Sequence, residues 1–340
     1  MSYSVDILNN IRLNASAEYS ARIPEATRNN LAAIGQAFQT YTLLYNEFCD
    51  ALVNKIGKTI IESKMFKNRL ARFKSGAILT QQDVEEIFVE MAKAEGSYNP
   101  NGTNPLGRRE PPDVKVIYHR QNRQDVYAIS IGQIDFIRAF RTPEALDLFI
   151  SDLINSIYSG DAYDEWVLMK ETIATFPGTD GNPGYFDYEV TDMSNATKKQ
   201  DWAKEMVKTV RKAVNDVGFA SRNYNAAGVN TWTNPEDLVL LIHKDVVVEV
   251  DVEQLATAFH QSNTDMKIVP TIIVMDDFGS MTDTYGLLVD KNFFRIFDTL
   301  SHMEPQRNAQ GLFTNYFYHH HQILSLSTFK NAVRFKRKAA

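Results

Sequence analysis

A single cysteine, Cys49, stands among 340 residues, which excludes an internal disulfide framework and a cysteine-built zinc centre. It lies between Phe48 and Asp50 in an apolar helical pattern, where a reduced, half-buried thiol is expected. Long hydrophobic runs are also missing. The most apolar stretches, 237–242 and 268–275, fall far short of the roughly 20 residues that a membrane-crossing helix needs. The opening residues Met1-Ser2-Tyr3-Ser4-Val5-Asp6 carry neither a basic segment nor an apolar core, so no signal peptide is expected and the chain should remain in the cell that makes it. An excess of positive charge is lacking too: the net charge of −6 argues against a general affinity for nucleic acid. Gly178, Gly181 and Gly184 repeat every third residue, yet no strand precedes them and the spacing fits neither a P-loop nor a dinucleotide fingerprint. The zinc-protease helix motif, the nucleophile elbow, internal repeats and low-complexity tracts are all absent from the sequence.

What is present is an ordinary globular mixture, 44% hydrophobic and 23% charged. Residues 1–27 are polar and weakly patterned and read as an extended arm. Leu31, Ile34, Phe38, Tyr41, Tyr45, Phe48 and Leu52 then alternate spacings of three and four, the stripe of a helix docked on another surface. Thr80 and Asp83 resemble a capping box, and Val84, Ile87, Phe88 and Met91 predict a second helix over 81–94. The segment 96–112, with its three glycines and four prolines, is a long loop. Alternation over 113–119 and 125–131 predicts a β-hairpin, 112–132 in all, with a charged tip at 120–124.

Thr142-Pro143-Glu144 is a strong helix start and opens about 30 residues of helix, 142–176, roughly 45 Å if unbroken. Gly160 costs that helix about 1 kcal/mol and marks a place for a kink. A Pro/Gly loop at 176–183 is the first domain boundary, beyond which the pattern turns α/β. A helix is predicted at 196–217, strands at 238–242, 246–250, 268–275 and 285–289, and a short helix at 252–261. A strand follows at 315–327, before a basic tail of Lys330, Arg334, Lys336, Arg337 and Lys338.

Few residues invite chemistry. His319, His320 and His321 alternate faces on a strand, so His319 and His321 could share a metal, but no third ligand is in sight. That pair founds one rival reading, a metal-dependent hydrolase. Asp276-Asp277 read as the start of a turn with Gly279, and Asp161, Asp164 and Glu165 as a solvated helix face or cap. No cofactor and no catalytic residue are assigned. The hairpin and the striped helix, by contrast, call for a partner surface.

Three stretches resemble the major head proteins of small tailed bacteriophages of Gram-positive hosts. They are Pro112-Asp113-Val114-Lys115 with His119 to Asp125 and Tyr127; Ile157-Tyr158-Ser159-Gly160 with Tyr163-Asp164-Glu165; and Val289-Asp290-Lys291, Phe293, Phe294, Ile296 and Asp298, followed by Asn308 to Leu312, Asn315-Tyr316-Phe317, His319-His320 and Gln322 to Ser325. The resemblance implies an α+β chain of the Hong Kong phage-type capsid fold. Its parts would be an N-terminal arm at 1–50 and an extended-loop region at 51–135 that contains the hairpin. A peripheral domain with a long spine helix would occupy 136–185 and 301–340, and an α/β axial domain 186–300.

The function so implied is a major capsid protein, not an enzyme, that self-assembles into hexamers and pentamers of an icosahedral head around double-stranded DNA. Its partners would be further copies of itself, a scaffolding protein, a portal protein and, by weak contact, the packaged DNA; no membrane is involved. It would be assembled in the host cytoplasm and reside in the virion. Lys115, Arg120, Arg123 and Tyr127 of the hairpin, with Phe38, Tyr41 and Tyr45 of the arm, are the expected intersubunit contacts, and the basic tail is expected to meet DNA or a neighbour's acids. A second rival is an encapsulin-like nanocompartment shell.

Overall fold

The computed structural model describes residues 3–41, 43–45, 47–48, 51, 66–78, 82–93, 111–140, 143–176, 184–193, 199–250 and 271–338. These fall into two units. Unit one gathers the chain numbered 1–71, 122–166 and 298–322; unit two gathers 72–121, 167–297 and 323–340. Most of the loops expected at 96–112 and 176–183, and the helix expected at 252–261, lie outside the described residues.

Unit one begins with three helices: α1 (Tyr3–Asn14), α2 (Ala17–Arg22) and α3 (Leu31–Thr40). The expected extended arm is therefore helical and folds inward. Ile7, Leu8 and Ile11 give α1 a short buried stripe. Polar side chains fix the turn that follows: Asn9 bonds both the N–H and the carbonyl of Ala26, and Arg12 donates to the carbonyls of Ser20 and Ile23. A hydropathy reading passes over such links, because they are made by residues it scores as solvent-facing. The helix expected from Leu31 ends at Tyr41, whose backbone is extended, and helical residues resume at 43.

The stripe needs no outside surface. Leu31, Ile34, Phe38, Tyr45 and Phe48 are buried among Tyr19, Ile131, Phe140 and Tyr316 of the same unit. The Phe38 ring lies 4.9 Å from that of Phe48 and meets Phe140 edge-on at 5.4 Å.

Three strands of unit one lie side by side in the order β9 (Phe294–Asn308), β10 (Phe313–Leu326) and β4 (Arg123–Gly132). β10 and β4 run antiparallel, from Phe313 opposite Gly132 to Gln322 opposite Arg123. Period two places Thr314, Tyr316, Tyr318, His320 and Gln322 on one buried face of β10. α4 (Gln133–Ala139) and then α5 (Pro143–Ala174) follow β4. α5 runs 32 residues without a break at Gly160.

Unit two holds a five-stranded sheet in the order β5 (Phe186–Val190), β11 (Ala332–Arg337), β8 (Thr284–Asp290), β6 (Leu238–His243) and β7 (Thr271–Met275). β5 with β11 and β6 with β7 are parallel, and β8 runs against both of its neighbours. Leu238 to Ile242 are buried without alternation, the signature of a strand covered on both faces. α6 (Lys199–Val217) closes one side with Trp202, Met206, Val210, Ala213, Val214 and Val217.

The strand expected at 246–250 is instead a helix, α7 (Lys244–Glu249): Val246 and Val250 are buried while Val248 between them is 82% exposed, which suits a period near four and not two. The expected basic tail is also no tail. As β11 it aligns Arg334 with Asp187, and Lys336 and Arg337 lie within 4.0 Å of Asp187, Asp283 and Asp192 of the same chain. The three cations within β11 are therefore partnered by their own chain.

The remaining strands of unit two are β1 (Lys74–Ala77), β2 (Val84–Val89) and β3 (Val114–His119). Two expectations fail here. β2 replaces the helix expected at 81–94, and β3 pairs with β2, not with β4. The hairpin at 112–132 therefore does not exist: its two strands enter different sheets, and the residues read as its tip connect them. Alternation identified both strands correctly but carries no information about partners, and no tight-turn dipeptide joined them.

One position in unit one gives a sharp stability test. A Cβ on Gly35 of α3 would lie 2.7 Å from the Cβ of Phe140, too close for either backbone to ignore. Gly35→Ala gains about 1 kcal/mol of helix propensity but should lose about 1–3 kcal/mol to overpacking. A lower midpoint in urea denaturation is expected, the opposite of an ordinary helical Gly→Ala change.

Candidate assembly surface

β2 and β3 form a two-stranded ribbon, an arrangement that is only marginally stable without support. Its inner face supplies that support. The Glu86 carboxylate accepts from Arg295 at 2.6 Å and from the Ser327 hydroxyl at 3.0 Å, and it meets the His119 imidazole at 3.0 Å. The other ring nitrogen of His119 lies 2.7 Å from the Ser325 hydroxyl. Burial alone would raise the Glu86 pKa, but His119, Arg295 and Ser327 together outweigh it and hold the carboxyl at about 2.

Two more ties lie along the ribbon: Lys115 donates to the Ala227 carbonyl at 2.8 Å, and Glu90 accepts from the Asn230 N–H and pairs with Arg222. Phe88 packs 5.6 Å from Phe329.

The outer face is of opposite character. Directly paired residues share a face, so Ile87 stands beside Val116, Val89 beside Val114 and Glu85 beside Tyr118. All five apolar members are exposed, as is Met91 just beyond, and Ile87 retains 57% of its accessible surface. A continuous aliphatic strip displayed on an anchored ribbon is the mark of a protein-contact surface.

A second polar centre lies in unit one. Arg123 of β4 is only 3% exposed, and its guanidinium meets Asp125 at 2.6 Å, Asp161 at 2.7 Å, Gln322 at 2.5 Å and the Tyr127 hydroxyl at 2.9 Å. Tyr127 in turn donates to Asp164, and its pKa is raised by burial and by that bond. Gln322 donates to Glu165 and Asp298, and Glu165 also accepts from Asn68. His320 stands between Asp161 at 2.7 Å and Asp298 at 3.3 Å. Asp161 and Glu165, expected on a solvated helix face, are therefore buried partners of this network.

The expected contact residues divide on this evidence. Phe38 and Tyr45 are spent on the unit-one core, and Arg123 is sealed in the polar network, because each is almost wholly buried by its own chain. Tyr127 is half-buried against the same network. Lys115 serves the ribbon's anchorage. Arg120 remains exposed beside Asp83, and Tyr41 remains exposed under the Arg22 guanidinium. Sequence reading missed the outer-face residues Ile87, Val89, Val114, Val116 and Tyr118 as a group, since Ile87 and Val89 had been read into a helix. Asp277 does begin a turn by accepting from the Gly279 N–H, and with Asp276 it holds Lys170. Among the described residues no three histidine, cysteine or acidic side chains converge on a point that could hold a metal.

Glu86→Gln should release the ribbon before the rest of unit two. A cost on the order of 3 kcal/mol is expected, with faster amide exchange over 84–89 and 114–119. The depressed pKa fixes the pH window: the anchor is fully present above the ordinary carboxylate value of 4.5 and is lost as pH falls toward about 2. Acid titration of the wild-type ribbon, followed by amide exchange, should show that loss, and Glu86→Gln should abolish it.

Comparison with known proteins identifies the family. Residues 8–336 match the family model for the Phi29-like phage major capsid protein. The chain is 34% identical over 334 residues to the major capsid protein of Bacillus phage B103, covering 98% of this chain and 72% of that one. It is 30% identical over 349 residues to that of Streptococcus phage Cp-1, covering 96% and 93%. Among solved structures, the capsid of Staphylococcus phage Andhra shares the fold with a TM-score of 0.64 at 11% identity, over 83% of this chain and 87% of that one. The mature capsid of bacteriophage PhiM1 does so at 0.54 and 8% identity, over 83% and 90%. These matches favour a phage head over the nanocompartment and hydrolase readings, and the fold is the mixed helix-and-sheet fold of Hong Kong phage-type capsids. The chain belongs to the Phi29-like family of phage major capsid proteins, which build the shell of the virion.

Proposed function

We propose that the subunits join as hexamers and pentamers, with the outer face of the β2–β3 ribbon laid against an adjacent copy. The observation that carries this reading is the exposed strip of Ile87, Val89, Val114, Val116 and Tyr118 on a ribbon whose opposite face is tied down by Glu86 and His119. Anchoring lowers the entropy lost on docking, and removal of five apolar side chains from water supplies the driving force. Rings of heterologous contacts use one such strip per subunit, so each copy both gives and receives. Arg120 and Tyr41 remain proposed contacts at the edges of that scheme. Lys115 acts there through the ribbon's placement.

In the terms of this fold, the five-stranded sheet of unit two corresponds to the axial domain, and α5 to the spine helix of the peripheral domain. A scaffolding protein and a portal protein would direct assembly in the host cytoplasm. Contact with packaged DNA would be weak, in keeping with the net charge of −6 and the internal pairing of the β11 cations.

Electron microscopy of the expressed chain, alone and with scaffolding protein, should show closed shells or ring-shaped capsomers. The double change Ile87→Asp with Val116→Asp should leave the circular dichroism spectrum of the subunit intact and reduce shell yield at least tenfold. Normal shells from that variant would remove the ribbon from the interface.

A further inference from the structure

The triple histidine finds no use in the shell contacts just described, yet its middle member is buried in the polar centre of unit one. His320 is 3% exposed and bridges two elements: its Nδ1 lies 2.7 Å from Asp161 of α5 and its Nε2 3.3 Å from Asp298 of β9. The surrounding polar network brings in further charged and titratable groups. α5 adds Tyr158 and Glu165, β4 adds Arg123, Asp125 and Tyr127, and β10 adds Tyr318, whose ring lies 5.8 Å from the imidazole.

We propose that His320 is a proton-operated clamp: its charged form ties α5 and β9 to β10 within unit one, and loss of its proton loosens the helix.

Hydrogen-bond inventory separates the two protonation states. An imidazolium has two N–H donors and can satisfy both carboxylates at once, whereas neutral imidazole has one. On deprotonation the bare ring nitrogen turns a lone pair toward either Asp161 or Asp298, and that bond becomes a repulsion. Asp161 keeps its bond from Arg123 and Asp298 its bond from the Gln322 amide, but the link that His320 made between them is lost.

Burial works against the charged imidazole, but Asp161 and Asp298 outweigh it and move the His320 pKa above 6.5. With the folded value raised, the clamp's stabilisation is complete below the ordinary histidine value and disappears as pH rises through the folded value. The device therefore opens on the alkaline side, opposite in direction to the ribbon anchor at Glu86.

Two midpoints measured on the full-length unassembled chain test this. Proton–carbon NMR of the His320 ring gives its titration, and amide exchange over 157–166, corrected for the intrinsic pH dependence, gives the state of the helix. Both midpoints should coincide above pH 6.5, with exchange rising about tenfold or more across the step, the equivalent of one pK unit of lost protection. Asp298→Asn removes one of the two carboxylates and should move both midpoints down together by about one pH unit. His320→Gln should eliminate the exchange step. A ring titration at or below 6.5, or an exchange step that stays in place when the ring midpoint moves, overturns the proposal. Should either variant fail to fold, the coincidence of the two wild-type midpoints decides alone.

Discussion

A guanidinium withdrawn from water must be met on every N–H it presents, and unit one is arranged around that requirement. Arg123 sits on β4 opposite Gln322 of β10, so the strand register itself brings those two together. Asp161 comes from α5, 38 positions along the chain, and Asp125 from two residues away on the same strand. The helix can lie on this sheet only in the rotation that delivers Asp161 and Glu165 to the interior. A buried pair of this kind contributes less to net stability than to the choice among alternative packings, since a slip of α5 by one position would strand a charge. The apolar core around Phe38 and Phe140 then supplies the bulk of the cohesion of the same unit.

Unit two answers a different problem. Its ribbon must present an aliphatic face outward without collapsing on itself. The inner side therefore uses a carboxylate, an imidazole, a guanidinium and two hydroxyls where another protein would use leucines. Polar anchorage is directional, so it fixes how the ribbon is presented as well as whether it is attached. In the assembly proposed above, where one contact repeats around a ring, a constant presentation matters more than the strength of any one contact, because small angular errors accumulate.

The sequence made the buried strands, α5 and α6 legible because each has one dominant period and clear termini: Pro143 opens α5, and Gly218 follows α6. It failed where a local pattern served two periods. Val84, Ile87, Phe88 and Met91 fit a helix face, yet pairing of Val84 with His119 and Val89 with Val114 turns the segment into a strand. The resemblance to head proteins located the right segments around Lys115 and Arg123 but could not tell that a boundary between two sheets runs between them. The buried network around Asp161 and His320 was invisible for another reason: its members lie up to 199 positions apart, and each looks like surface when read alone.

The place of β11 in its sheet has a consequence for timing. It lies between β5 and β8, both of which leave the ribosome well before it, and only with its residues 332–337 does the row of strands become continuous. Until that moment β5 and the β8–β6–β7 trio lack their shared neighbour, and their facing edges are unsatisfied. The five-stranded sheet of a nascent subunit is therefore completed only once residues 332–337 have been translated.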